Sequence, residues 1–361
     1  MSQGPLADWG LASRVGDLLA GYGRPDVTSD EVVELRADIA AVVSRADQVA
    51  RQVTGLGEQL PPAEARVVGR RPWIRDNLAT LADLTDPVAE QLVRSSGLAR
   101  AVVRRGLGLQ LGVVFGFLST KVLGQYEALL PGGQTPGRLT VVGPNLIVLE
   151  REMLPEADVD AAQLRMGLCL HEVAHRLQFE AVPWLRPELR SIVDAYIADA
   201  RVDPERVREA AAAAREVLRN PARVLDDPRA LLDTVLTPGQ RELLDRAQNL
   251  MSLLEGHGNV VMEWGAEIID AEDGVGLDPA RVRTLLNRRR ETAGDQALRK
   301  ALGLAMKAEQ YRVGERFILD VAERHGRDTF DLVWDDPAHI PRGEELTEPD
   351  AWVARVTAGA R

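Results

Sequence analysis

Residues 168–179, LCLHEVAHRLQF, constrain the fold of this chain more than any other stretch. His171 and His175 stand four apart, and on an α-helix positions i and i+4 lie one above the other on one face. Met166, Leu170, Val173, Ala174 and Leu177 recur around them at three- and four-residue spacing, the stripe of a helix packed on a core. The segment therefore reads as a core helix that presents two imidazoles side by side. Glu172 is turned roughly 100° from His171 about the helix axis, beside the point where the imidazoles converge. This H-E-x-x-H spacing fits a zinc site that carries its own general base. The alternative is a structural pair of histidines, half-exposed and hydrogen-bonded locally.

A catalytic zinc takes three protein ligands and leaves a fourth position for water. The longer pattern H-E-x-x-H-x-x-G-x-x-H is excluded, because Gln178 and Ala181 occupy the places of its glycine and third histidine. The other common source is a glutamate on a second helix, with an acidic or amide residue one turn later holding a ligand histidine. LLEGHGNVVM, residues 253–262, offers that arrangement, with Glu255 as ligand and Asn259 as the amide. His257 is two residues from Glu255, on a different helix face, and competes for the ligand role; Glu263 and Glu267 are further alternatives. If Glu255 binds the metal, His257 is free to stabilise an oxyanion. Gly256 and Gly258 cost helix stability and predict a close approach by another helix. Tyr311, in QYRVGERF, is a second candidate oxyanion donor, against the plainer role of a packing aromatic. His325 and His339 have no motif around them and read as surface residues.

The chain has 361 residues, 45% of them hydrophobic, which is ample for a sizeable core. A formal charge of −11 argues against a nucleic-acid partner, since phosphate affinity rests on clustered Lys and Arg. The single cysteine, Cys169, excludes an intrachain disulfide and a thiolate zinc cluster, and reads as buried filler. The N-terminal segment lacks the apolar run of a signal peptide, so a cytoplasmic protein is expected. GLGLQLGVVFGFLST, residues 106–120, is the most apolar stretch; closed by Arg105 and Lys121, it is shorter than the ~20 residues of a membrane span and reads as a buried helix. Gly108, Gly112 and Gly116 on one of its faces would let another backbone come close.

Helical signals dominate the chain. Thr28 with Glu31 predicts a capping box that opens a helix to about Gly55; Asp86-Pro87, Thr237-Pro238 and Asp278-Pro279 are further helix starts, and Gly326 is a stop. Residues 1–100 read as an N-terminal helical layer and 101–361 as the catalytic core, packed as one unit. In residues 137–152, GRLTVVGPNLIVLERE, two β-branched runs flank Gly143-Pro144-Asn145 and predict a β-hairpin over 138–150 at the rim of the metal cleft. Its exposed edge could hold an extended peptide as an added strand. The expected class is α+β, mostly helical, with a small β-sheet.

HEVAHRLQFE, LLEGHGNVVM, VVGPNLIVLERE and KAEQYRVGERF, with RPWIRDNLATL and TKVLGQYEALLPGG upstream, resemble a bacterial family of zincin-like metallohydrolases linked by genomic context to deazaflavin cofactor biosynthesis. The resemblance spans most of the chain and implies a zincin-like α+β core of gluzincin type. It also implies a zinc triad of His171, His175 and Glu255, with Glu172 as base. The 80 residues from His175 to Glu255 exceed the separation in thermolysin-like enzymes. Three readings follow: a zinc peptidase acting on peptide or amide bonds, a non-peptide amidohydrolase of cofactor metabolism, and a catalytically silent metal-stabilised scaffold. An intact Glu172 disfavours the scaffold, because a purely structural zinc site needs no base and prefers four protein ligands.

Overall fold

The computed structural model describes residues 4–21, 26–89, 97–199, 238–290 and 307–358. In chain order, α1 spans Trp9–Ala20, α2 Ser29–Thr54, β1 Ala65–Val68, α3 Arg70–Thr85, α4 Gly97–Leu118, β2 Gly124–Glu127, β3 Arg138–Val142 and α5 Gly143–Met153. Then follow α6 Ala161–Ala181, α7 Leu185–Asp199, α8 Pro238–Asp273, α9 Pro279–Arg290, α10 Lys307–His325, α11 Arg327–Asp331 and α12 Pro349–Ala358. The expected mostly helical α+β class with a small sheet is what the chain adopts.

Several helix boundaries are made by the residues that predicted them. The backbone N–H of Glu31 donates to Thr28 Oγ1 at 3.3 Å, and that of Thr28 donates to Glu31 Oε2 at 2.8 Å. This capping box opens α2, and Gly55, at φ 65°, ends it in the left-handed region. Asp278 accepts from the N–H of Arg281 at 3.0 Å to open α9. At Gly326, φ 90°, the chain turns out of α10. Asp86 starts a short 3-10 turn, Asp86–Val88; the residues that follow lie partly outside the described ones.

The sheet has the order β1-β3-β2. β3 is central, parallel to β1 (Ala65↔Leu139 to Val68↔Val142) and antiparallel to β2 (Gly124↔Val141 to Glu127↔Arg138). Leu139 to Val142 are all buried, as befits a strand covered on both faces. β2 is an edge strand, and it packs on α6.

The predicted hairpin is half wrong. Residues 138–142 form β3, but 143–153 form α5. Pro144 sits in the first turn of a helix, where its missing N–H leaves no bond unmade and its fixed φ suits the start. The buried Asn145 side chain donates to the carbonyls of Ser119 and Val122 at 2.8 and 2.6 Å and accepts from Arg70 Nε at 2.7 Å. What resembled a turn is a helix N-terminus anchored to three other segments. A short apolar run such as Leu146-Ile147-Val148-Leu149 does not distinguish a strand from a buried helix.

A second correction concerns α4. Gly108, Gly112 and Gly116 do pack closely on α1, where the Cβ positions at Gly108 and Gly112 lie 2.6 Å from the carbonyl oxygens of Asp8 and Ala12. The opposite face is not buried: Val102 is 64% and Leu109 52% exposed. By length and composition, Arg100–Leu118, with mean hydropathy 1.4, could cross a membrane. Its Gly-to-backbone contacts account for the close packing of the face turned to α1.

Three cores result. α1, α3 and α4 share one around Ala12, Trp73, Ile74 and Leu78. α2, the sheet, α6 and the C-terminal half of α8 share another, including Ile39, Leu139, Leu170, Leu177 and Val261. The third joins α7, the N-terminal half of α8, α10 and the C-terminal turns through Leu185, Leu253, Phe317, Phe330 and Trp352. The LLEGHGNVVM stretch therefore lies where α8 passes from one core to the next, facing α6.

Candidate metal centre

Asp160 caps α6 by accepting from the N–H of Gln163 at 2.8 Å, and Leu164, Leu168, Leu170, Val173, Ala174 and Leu177 bury the helix. Its back is tied to α2 by Arg176, which donates to Asp47 Oδ1 at 3.0 Å and to the Pro61 carbonyl at 2.6 Å. Asp47 also accepts from Arg51 and the N–H of Ala63, so this buried charge pair is fully engaged. Such a pair fixes the rotation of α6, and with it the direction of His171 and His175. Cys169 is buried, and its thiol is pushed up to about 12 by burial first and then by the Glu172 charge; it is the inert filler expected.

The two imidazoles meet edge to face, with centroids 4.7 Å apart, 86° between planes and Nε2 atoms 3.2 Å apart. From α8, Glu255 brings Oε2 within 3.4 Å of His171 Nε2 and Oε1 within 3.7 Å of His175 Nε2. Zinc bonds to such atoms are about 2.0–2.2 Å long, so tetrahedral ligands stand roughly 3.3–3.6 Å from one another. The three separations, 3.2, 3.4 and 3.7 Å, bracket that figure, and two imidazoles with one carboxylate are a donor set suited to zinc. Among the described residues, His171, His175 and Glu255 are the group able to hold a metal ion.

Gly258 makes the approach possible: a Cβ there would stand 2.8 Å from Cε1 and Nδ1 of His171. The predicted helix contact also exists at Gly256, whose Cβ position is 2.5 Å from the Glu315 nitrogen of α10. Gly314 of α10 answers it, with its own Cβ position 1.9 Å from the Ser252 carbonyl oxygen. The glycines thus serve two approaches, one to a ligand ring and one to a helix backbone.

Glu172 is buried and lies against the edge strand; a Cβ at Gly124 of β2 would be 2.8 Å from its Cγ and 2.9 Å from Oε1. At the other end of the strand, Glu180 accepts from Tyr126 Oη, from Arg186, and from the N–H of Gly137 at 2.7 Å, which pins the β2–β3 connection to α6.

The remaining expected residues fall elsewhere. His257 is 1% exposed, stacked on Phe330 at 5.8 Å and edge-on to Trp334 at 5.0 Å, with Nδ1 2.8 Å from Gln178 Nε2. Burial first, then His175 and His171, push its pKa down to about 3, so the ring is neutral. Asn259 holds neither ligand histidine: its Nδ2 donates to Glu315 Oε2 at 3.1 Å, and Glu315 pairs with Arg283 at 3.2 Å. Helix spacing predicted the amide on the Glu255 face but not the carboxylate that α10 brings to it. Glu263 and Glu267 are exposed. The side chain of Tyr311 lies outside the described residues. His325 pairs with Asp350 at 2.7 Å, and His339, half-buried, contacts the Leu332 carbonyl at 2.6 Å. The residue that sequence reasoning missed is Gln178, noted there only as a place where a glycine was absent. Its signal was available: a polar side chain on the buried face of α6, one turn after a ligand histidine.

Two histidines one turn apart and a carboxylate from a crossing helix are a candidate ligand set for a mononuclear metal site. The chain matches the model of the zincin-like metallopeptidase family over residues 7–353 and belongs to that family. Membership implies a divalent metal, and the donor set fits zinc. A crystal structure from Chloroflexus aurantiacus, described as a candidate hydrolase with a novel fold, is similar at 26% identity and TM-score 0.68, covering 97% of this chain and 99% of that one. No curated protein matches the chain.

Proposed function

We propose that the protein is a zinc-dependent peptidase, with His171, His175 and Glu255 holding the metal and Glu172 serving as general base. Bound there, zinc would supply Lewis acidity to an attacking water and to a substrate carbonyl. Glu172 takes the proton of that water and passes it to the leaving amine. The observation that carries this reading is the position of Glu172: its side chain rests on Gly124 of β2, so the base lies between the ligand helix and a strand at the edge of the sheet among the described residues. An extended peptide that adds to β2 by main-chain hydrogen bonds would bring its amide alongside that carboxylate. Glycine at 124 favours such an approach, because any side chain there would displace the base.

The test is Glu172→Gln, which keeps size and a hydrogen bond but removes the base. Zinc content and melting temperature should stay at wild-type values while cleavage of a peptide-library substrate falls by about 10² to 10⁴-fold. Full activity in this variant would rule out the mechanism, even with zinc bound.

A further inference from the structure

Gln178 is completely buried one turn beyond His175, and three contacts engage its amide. Nε2 lies 3.1 Å from the Leu254 carbonyl oxygen, Oε1 lies 2.9 Å from His175 Nδ1, and Nε2 lies 2.8 Å from His257 Nδ1. The Leu254 carbonyl can only accept, so the end of the amide facing it must be the NH2. The other end is then oxygen, which also only accepts, so His175 Nδ1 must carry a hydrogen. A neutral imidazole has one N–H; the lone pair of His175 is left on Nε2, the atom that faces His171 and Glu255. The second N–H of the amide requires an acceptor at His257 Nδ1, which puts the hydrogen of His257 on Nε2. A flipped amide would set its oxygen against the Leu254 carbonyl oxygen in a site without water access.

We propose that Gln178 is a positioning residue that locks His175 in the tautomer able to bind metal, with His257 as the buried stop that keeps the amide from turning. His257 is clamped between Phe330 and Trp334, so the orientation of a ligand in one core is held by packing in the next. This gives His257 a part in the site without contact to metal or substrate. It also explains why a glutamine serves here where a carboxylate would not: one side chain must accept from His175 and donate to both Leu254 and His257.

The inference rests on the metal reading, but its test does not need a loaded enzyme. In metal-free full-length protein labelled with 15N-histidine, long-range 1H–15N correlations report each tautomer. His175 should appear as Nδ1–H and His257 as Nε2–H. An Nε2–H form or an even mixture at His175 would overturn the inference. Zinc titration of the same sample tests the metal reading on its own: a chain that binds no zinc but shows the expected tautomers fails that reading and keeps this one. In Gln178→Leu, His175 should become a mixture and zinc affinity should fall about 10 to 100-fold. Wild-type zinc affinity in a folded Gln178→Leu would also overturn the proposal; if that variant does not fold, the wild-type spectrum still decides.

Discussion

Where α4 meets α1, the Cβ position at Gly112 lies 2.6 Å from the Ala12 carbonyl oxygen; where α8 meets α6, that at Gly258 lies 2.8 Å from two atoms of the His171 ring. Both contacts use glycine to shorten the distance between helices. In the first, the Asp8 and Ala12 carbonyls and apolar side chains lie opposite the glycines, and the far side of α4 is exposed at Val102, Leu109 and Val113. In the second, the candidate ligand His171 lies opposite, and polar side chains between the helices are hydrogen-bonded through Gln178, His175 and His257. A run of spaced glycines therefore marks a close approach but not its purpose, which depends on the residue that fills the gap.

That contrast can be broken most sharply at Gly258. Gly258→Ala should move the His171 ring and weaken zinc binding by on the order of 10-fold or more, while costing less in stability than its zinc defect suggests; isothermal titration and thermal melting measure the two. Gly112→Ala should do the reverse. Overpacking against the Ala12 carbonyl should destabilise by about 1–3 kcal/mol with zinc affinity unchanged, read by denaturant unfolding and the same titration. If both variants lose zinc alike, the two contacts are not functionally distinct. The smallest effect belongs to the outer face of α4, where Leu109→Asn should shift stability by no more than ~0.5 kcal/mol. A large loss there would mean that this face is covered in solution.

The sequence carried the site further than it carried the fold. The grouping of His171, His175 and Glu255 was legible because it depends on helix spacing within α6 and on a second helix with the right chemistry. The starts of α2 and α9 were legible because Thr28, Glu31 and Asp278 act within one turn. What was not legible depended on distant partners. Asn145 looked like a turn residue because its contacts, Ser119, Val122 and Arg70, come from segments more than 20 residues away. β1 and β2, four residues each, gain their strand character from pairing with β3. α4 looked buried because apolar composition does not say which face a neighbour will cover. Asn259 was assigned a partner on the wrong helix for the same reason, and Gln178 was passed over because its importance lies in the Leu254 carbonyl and His257, 76 and 79 residues away.

The central claim is that His171, His175 and Glu255 together hold one zinc ion. Metal analysis of protein purified without added zinc, then dialysed against a limiting zinc supply, should find about one zinc per chain. The double variant His171→Ala/His175→Ala should lose it, and Glu255→Ala should weaken retention far more than His257→Ala. Equal zinc content in the wild type and the double variant would contradict the account.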